Sequence, residues 1–102
     1  MYDVAALGEL LIDFTCLSTD ADGYPTMAAH PGGAPANYLA ALTKFGAKTA
    51  MIGKVGNDAF GRLLIKTLKG AGIGTRGMLV SDDVFTTLAF VTLDDSGDRE
   101  FS

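Results

Sequence analysis

The chain has 102 residues, of which 48% are hydrophobic and 20% are charged. This usage is typical of one small globular domain and excludes a disordered or low-complexity chain. The formal net charge of −4, with Lys and Arg scattered along the chain, excludes a basic nucleic-acid-binding surface, and no run reaches the roughly 18 apolar residues of a membrane helix.

The N-terminal half predicts a buried strand, an excursion and a helix. The apolar run "VAALGELLIDF" predicts one central strand that ends at Asp13 and is buried on both faces of a parallel sheet. The segment "TDADGYPTMAAHPGG", residues 19–33, is rich in turn formers and predicts a small excursion from that sheet. Pro35 then opens a helix over residues 36–45, which Gly46 closes. Few polar residues interrupt this helix, so we expect it to be buried on most sides.

The C-terminal half continues the alternation of strands and helices. "KTAMIGKVG" predicts a second core strand, and Asn57 or Asp58 caps an amphipathic helix with Arg62 and other cations on its wet side. "GMLVS" predicts a third strand, so the order β-α-β-α-β indicates an α/β fold with a parallel sheet and right-handed crossovers. "TTLAFVTLDDSGDREFS" predicts an antiparallel hairpin whose loop is residues 94–97.

Phosphate-binding and hydrolytic motifs are not satisfied. Lys48 stands where a P-loop needs its first glycine. "GIGTRG" matches G-x-G-x-x-G, but a helix precedes it and a strand follows, the reverse of a dinucleotide site, so we interpret its glycines as a helix stop and a loop. His30, the only histidine, is interpreted as a solvated loop residue, and no metal site or hydrolase triad is predicted.

Four residues form a candidate crevice for hydroxyl groups. Asp13 follows a parallel strand, at the edge where open α/β sheets bind ligands. The backbone at Gly32 and Gly33 offers close N–H donors, and Asn37, in the first helical turn, can both donate and accept. Phosphate sites recruit Lys or Arg beside such donors, and Lys54 is the one cation that we expect near this set. The set therefore suits a polyol better than a phosphate. A solvated strand end for Asp13 and a simple cap for Asn37 stay open as alternatives.

Four segments, in this order, resemble the N-terminal part of the PfkB, or ribokinase-like, family of sugar kinases: "ALGELLIDF", "PGGAPAN", "GKVGNDAFG" and "TTLAFVTLDDSGDREFS". The resemblance covers the whole chain but only about a third of such a kinase. Ala34 stands where ribokinases carry lysine, which favours the fructokinase-like members.

The resemblance implies a Rossmann-type sheet with a small antiparallel β lid, its elements at about residues 14–30 and 86–102. It implies that the sugar contacts Asp13, Gly32, Gly33 and Asn37, with Arg99 and Phe101 as further contacts from the lid. ATP and Mg²⁺ would bind in the C-terminal portion absent from this chain, which would also hold the catalytic base in a "GAGD"-like motif; activation by a monovalent cation is left open. No catalytic, cofactor-binding or metal-binding residue is expected within these residues.

The function implied is transfer of the ATP γ-phosphoryl group to a sugar hydroxyl, with fructose as the favoured acceptor and the segment inactive alone. Ribokinase-like, 2-keto-3-deoxygluconate and nucleoside kinases are alternatives, as is a non-catalytic binding module if the chain is complete at residue 102. The lid strands offer a surface for a homodimer. The single cysteine, Cys16, excludes an intrachain disulfide, and the N-terminus lacks signal-peptide features, so a cytoplasmic protein is expected.

Overall fold

A computed structural model describes residues 1–93 and 99–101, and the side chains of residues 1–91. The predicted loop 94–97 and the side chains of Arg99 and Phe101 therefore lie outside the described residues. The described part forms seven strands and two helices in the order β1 (Val4–Leu7), β2 (Leu11–Thr19), β3 (Pro25–Gly32), α1 (Ala34–Lys44), β4 (Thr49–Gly56), α2 (Ala59–Gly70), β5 (Gly74–Ser81), β6 (Thr87–Leu93) and β7 (Arg99–Phe101).

The predicted β-α-β-α-β unit is confirmed and forms a three-stranded sheet. Its strand order is β1-β4-β5, and both neighbouring pairs are parallel. Helices α1 and α2 lie on the same side of this sheet, where residues of both line one cavity. Neither helix is long and apolar enough to cross a membrane.

A second, four-stranded sheet has the order β3-β2-β6-β7, and we name it the lid sheet. The β2–β3 and β6–β7 pairs are antiparallel, whereas β2 and β6 run parallel. The turn-rich excursion and the C-terminal hairpin thus join in one sheet, although nothing in the strand patterns predicted that β2 would pair with β6.

The prediction of one continuous first strand was wrong. The run divides at residues 8–10 into β1 of the parallel sheet and β2 of the lid sheet. Leu10, in the connection between β1 and β2, is buried and only 2% exposed. The hydrophobic pattern therefore continues through the break in the strand. At Gly8 a Cβ would meet the ring of Pro35 at 2.6 Å, which accounts for the glycine at the point of division.

The core lies between the parallel sheet and the two helices. Its fully buried members from these elements are Leu39, Met51, Val55 and Leu64, and Ile12 joins them from β2 of the lid sheet. The opposite face of the sheet is open: Leu7 is 79% exposed and Leu79 is 65% exposed. Within the described residues the two helices cover one face of this sheet, so the expected burial of the first strand on both faces is not seen in this part of the fold.

The two helices end where the sequence predicts, but α1 is less buried than expected. Its N-cap is Gly33, Pro35 lies in its first turn, and Gly46 closes its end at a φ of 93°. Only Leu39 is fully buried in α1 and Tyr38 is 60% exposed, because the helix contacts β1 and β4 along one side.

The "GIGTRG" segment is divided between a helix end and a strand. Gly72 follows α2 at a φ of 79° and confirms the predicted helix stop. Gly74 and Gly77 lie in β5 rather than in a loop. At Gly77 a Cβ would approach Ile52 Cγ1 at 3.0 Å, so the small residue allows close pairing with β4.

Candidate functional site

Asp13 lies inside β2 of the lid sheet, not at the end of a strand in the parallel sheet as predicted. It stands opposite His30 on β3 and Ala89 on β6. Side chains of paired residues point to the same face of a sheet, so these three share one face. His30 is exposed, as expected, but it belongs to a strand rather than a loop.

The Asp13 carboxylate lies directly over Gly32. Asp13 Cγ is 3.0 Å from the position that a Cβ on residue 32 would take, and Leu11 Cδ1 is 3.1 Å from it. One carboxylate oxygen comes closer still. Gly32 is buried, so the missing side chain leaves room for the half-buried carboxylate against the backbone of β3.

Gly33 forms the turn from the lid sheet into α1. Its φ of 118° lies in the region that favours glycine, and a Cβ there would meet the Glu9 carbonyl oxygen at 2.5 Å. The backbone of the β3–α1 connection therefore packs against the backbone of the β1–β2 connection. The glycine pair thus has two separate reasons: Gly32 leaves space for Asp13, and Gly33 allows a tight turn.

Asn37 lies in the first turn of α1, where its N–H donates to the Gly33 carbonyl at 3.2 Å. It is exposed. With Gly32 and Thr67 it lines a cavity of about 70 Å³ between α1 and α2, which is otherwise largely apolar. The structure thus brings Asp13 and Gly32 into contact, and places Gly33 and Asn37 at the adjoining start of the helix.

The other face of the lid sheet packs against α2. Phe14 stacks on Phe90 with ring centroids 5.2 Å apart and meets the Phe60 ring of α2 edge-on at 5.4 Å. The β2–β6 register places Ala89 and Val91 on the face of Asp13.

Asp58 and Thr86 form a further hydrogen-bonded cluster. Sequence reasoning proposed Asp58 as a possible helix cap but did not predict its bonds to Thr86. Asp58 Oδ1 accepts hydrogen bonds from the Gly61 N–H and the Thr86 hydroxyl, both at 2.7 Å, and Oδ2 accepts from the Thr86 N–H at 2.9 Å. Thr86 Oγ1 in turn accepts from the Gly56 N–H at 3.1 Å. The Thr86 N–H and hydroxyl and the Gly61 N–H hold the pKa of the Asp58 carboxyl below its ordinary value of 3.8. The glycines around Asp58 in "GKVGNDAFG" were the available signal, since both Gly56 and Gly61 lie against this cluster.

Comparison with known proteins gives consistent relatives. The family model for pfkB family carbohydrate kinases matches residues 1–102. A probable fructokinase-5 of Arabidopsis thaliana is 43% identical over 103 residues, which cover 96% of this chain and 31% of the relative.

Two solved structures share the fold. A fructokinase from Xylella fastidiosa superposes with a TM-score of 0.90 at 35% identity, covering 97% of this chain and 31% of that chain. A putative Ribokinase II from E. coli, in complex with ATP and Mg²⁺, superposes with a TM-score of 0.86 at 32% identity, covering 100% of this chain and 33% of that one. The chain thus spans about a third of the length of these relatives, and it belongs to the pfkB family of carbohydrate kinases.

Proposed function

We propose that the full-length protein is an ATP-dependent sugar kinase and that fructose is its acceptor. The observation that carries this proposal is the Asp13 carboxylate held over the bare backbone of Gly32 on one face of the lid sheet. Fructokinases among the relatives support the choice of sugar. The described residues correspond to the acceptor side of the reaction.

Each residue of the candidate site has a role suited to neutral hydroxyl groups. Asp13 accepts hydrogen bonds from two sugar hydroxyls, since an ionised carboxylate is an acceptor with several lone pairs. Gly32 and Gly33 let the sugar approach the backbone, and Asn37 donates to a hydroxyl from the start of α1. Arg99 and Phe101, on the strand beyond β6, are proposed as further contacts from the lid.

The nucleotide side of the reaction is assigned to sequence outside this chain. The Ribokinase II structure contains ATP and Mg²⁺, and the resemblance to the family implies that the nucleotide-binding segments follow residue 102. When bound, MgATP supplies the γ-phosphoryl group, and the metal neutralises charge on its oxygens. The described residues orient the acceptor hydroxyl, and the lid sheet excludes water that would otherwise accept the phosphoryl group.

We infer that residues 1–102 form one portion of a single kinase domain and do not turn over substrate alone. The catalytic base that deprotonates the sugar hydroxyl is expected in a later "GAGD"-like segment. An encoding reading frame that continues past Ser102 into such a segment supports this division. A frame that stops there contradicts it and favours a binding module.

The test of the function is a phosphorylation assay on the full-length protein. Fructose, ribose, 2-keto-3-deoxygluconate and adenosine are compared under the same MgATP concentration. We expect the highest kcat/KM with fructose. The highest value for another acceptor would overturn the assignment of fructose, and no turnover with any of the four would overturn the kinase function.

A homodimer through the lid sheet is proposed as the assembly. Strand β3 pairs with β2 on one side and forms an edge of the described sheet, and an edge strand presents backbone groups to another chain. Sedimentation of the full-length protein tests this. We expect a dimer that a proline at Ala28, in the middle of β3, converts to a monomer.

A further inference from the structure

The lid sheet is joined to the parallel sheet by three connections within the described residues. They are residues 8–10 between β1 and β2, Gly33 between β3 and α1, and residues 82–86 between β5 and β6. The orientation of the lid sheet, and with it the position of Asp13, depends on how these connections are held.

The first two connections pack against each other through glycine and backbone. Gly33 approaches the Glu9 carbonyl, and Gly8 lies against Pro35. No side chain caps the helix that follows Gly33. Between the two segments the contacts are packing contacts, and the Gly8 N–H donates instead to the Ile52 carbonyl of β4 at 3.1 Å.

The third connection is held by side-chain hydrogen bonds. Thr86, only 5% exposed, donates through both its N–H and its hydroxyl to Asp58 and accepts from the Gly56 N–H. Asp58 is the N-cap of α2, and Gly56 is the last residue of β4. The start of β6 is therefore bonded to two elements of the parallel-sheet unit at once.

The position of Thr86 is transmitted to the candidate site through strand pairing. Thr87, its neighbour, pairs with Leu11, and Ala89 pairs with Asp13. A displacement of the start of β6 therefore moves β2 along with it, because the two strands share a hydrogen-bonded ladder.

We propose that Asp58, acting through Thr86, is a positioning residue that sets the orientation of the lid sheet over the parallel sheet. The Asp58 carboxylate holds the start of β6 against the parallel-sheet unit. The connections at residues 8–10 and at Gly33, which contain glycine, are where the backbone turns between the two sheets. The link to substrate rests on the proposed function, whereas the mechanical role does not.

The competing explanation is that Asp58 serves only as the cap of α2. Two substitutions separate the roles. D58S keeps a capping oxygen for the Gly61 N–H but cannot bond both groups of Thr86, and T86V removes the hydroxyl while leaving the Asp58–Gly61 bond in place. T86S retains the hydroxyl and serves as the conservative variant.

The matched control is T43V. Thr43 Oγ1 bonds Thr49 Oγ1 at 2.6 Å and the Leu39 carbonyl at 2.8 Å, which joins α1 to β4 within the parallel-sheet unit. T43V thus also removes a partly buried hydroxyl network, but one that does not contact the lid sheet.

The experiment measures the distance between two spin labels in the ligand-free, full-length protein. The labels are placed at Thr19→Cys on β2 and Lys66→Cys on α2, both exposed positions, after Cys16 and any further cysteine are replaced by serine. We expect one narrow distribution for wild type, T86S and T43V, and a distribution that is shifted or broadened beyond the wild-type width for D58S and T86V. Distributions for D58S and T86V that match wild type, or an equal broadening in T43V, would overturn the proposal.

A kinetic readout connects the positioning role to substrate. In D58S and T86V we expect a raised KM for fructose and a larger share of ATP hydrolysed to water, because a misplaced lid admits a competing nucleophile. If the wild-type protein phosphorylates no sugar, the proposed function fails, while the spin-label distances still decide the role of Asp58.

Discussion

Replacing Gly32 with alanine places a methyl group where the Asp13 carboxylate lies. The added Cβ would stand 3.0 Å from Asp13 Cγ and closer to one of its oxygens. Since the carboxylate is the end of a rotatable side chain, it can turn away. G32A is therefore expected to displace the Asp13 carboxylate, which we propose binds the sugar, while leaving the fold largely unchanged.

The size of the effect follows from the interaction that is lost. A hydrogen bond to a charged group contributes about 1.5–3 kcal/mol, and 1.4 kcal/mol corresponds to about a factor of ten in affinity. Fructose affinity should therefore fall by about 10- to 100-fold. Overpacking at a buried position costs about 1–3 kcal/mol, and rotation of Asp13 places the loss in unfolding free energy near the lower limit.

Calorimetric titration of the full-length protein with fructose measures the affinity, and denaturant unfolding measures the stability. G70A is the control, because nothing lies within 4 Å of a Cβ at Gly70 in α2. It should leave fructose affinity unchanged. Wild-type affinity in G32A would refute the reasoning that Asp13 and Gly32 form the sugar site.

Three further substitutions test the turn at Gly33, the core at Leu39 and the charge of Asp58. G33A should cost about 1–3 kcal/mol of unfolding free energy in denaturant titration, because alanine is strained at a φ of 118°; an unchanged midpoint would contradict the assigned turn. L39A should cost about 2–5 kcal/mol by the same measurement, since Leu39 is 0% exposed, and a loss below 1 kcal/mol would place that side chain outside the core. D58N should be less stable than wild type at neutral pH, and this difference in unfolding free energy should shrink as pH falls below 3.8. A carboxyl with a lowered pKa stabilises the fold when ionised and loses that contribution on protonation. An equal difference at neutral pH and at about pH 3 would show that the charge of Asp58 does not stabilise the fold.

The parallel-sheet unit could be predicted from sequence because its signals are local. Apolar runs separated by a capped amphipathic helix indicate β-α-β, and Asp58 is in fact the cap of α2. The break in the first strand could not be predicted, because Leu10, within the break, and Ile12, just after it, are both buried, so the hydrophobic pattern of the run continues through it. Periodicity reports burial, not which sheet a residue joins.

Sequence reasoning grouped the residues of the candidate site, but it placed Asp13 in the wrong sheet. Asp13 and Gly32 were grouped as one crevice, and the structure brings them into contact. Asp13 nevertheless belongs to the lid sheet, and its neighbours His30 and Ala89 follow from pairing between strands far apart in sequence. Such register depends on long-range contacts that single-sequence patterns do not contain. The hydrogen bonds between Asp58 and Thr86 were missed for the same reason, since these residues are 28 positions apart in the sequence.

The most direct test of the account is a crystal structure of the full-length protein with fructose. We predict that two fructose hydroxyls donate to the Asp13 carboxylate and that the sugar lies against the backbone of Gly32 and Gly33, on the face of the lid sheet that carries Ala89. Fructose bound elsewhere, with Asp13 facing solvent, would contradict the central claim that this chain provides the sugar-binding part of the kinase.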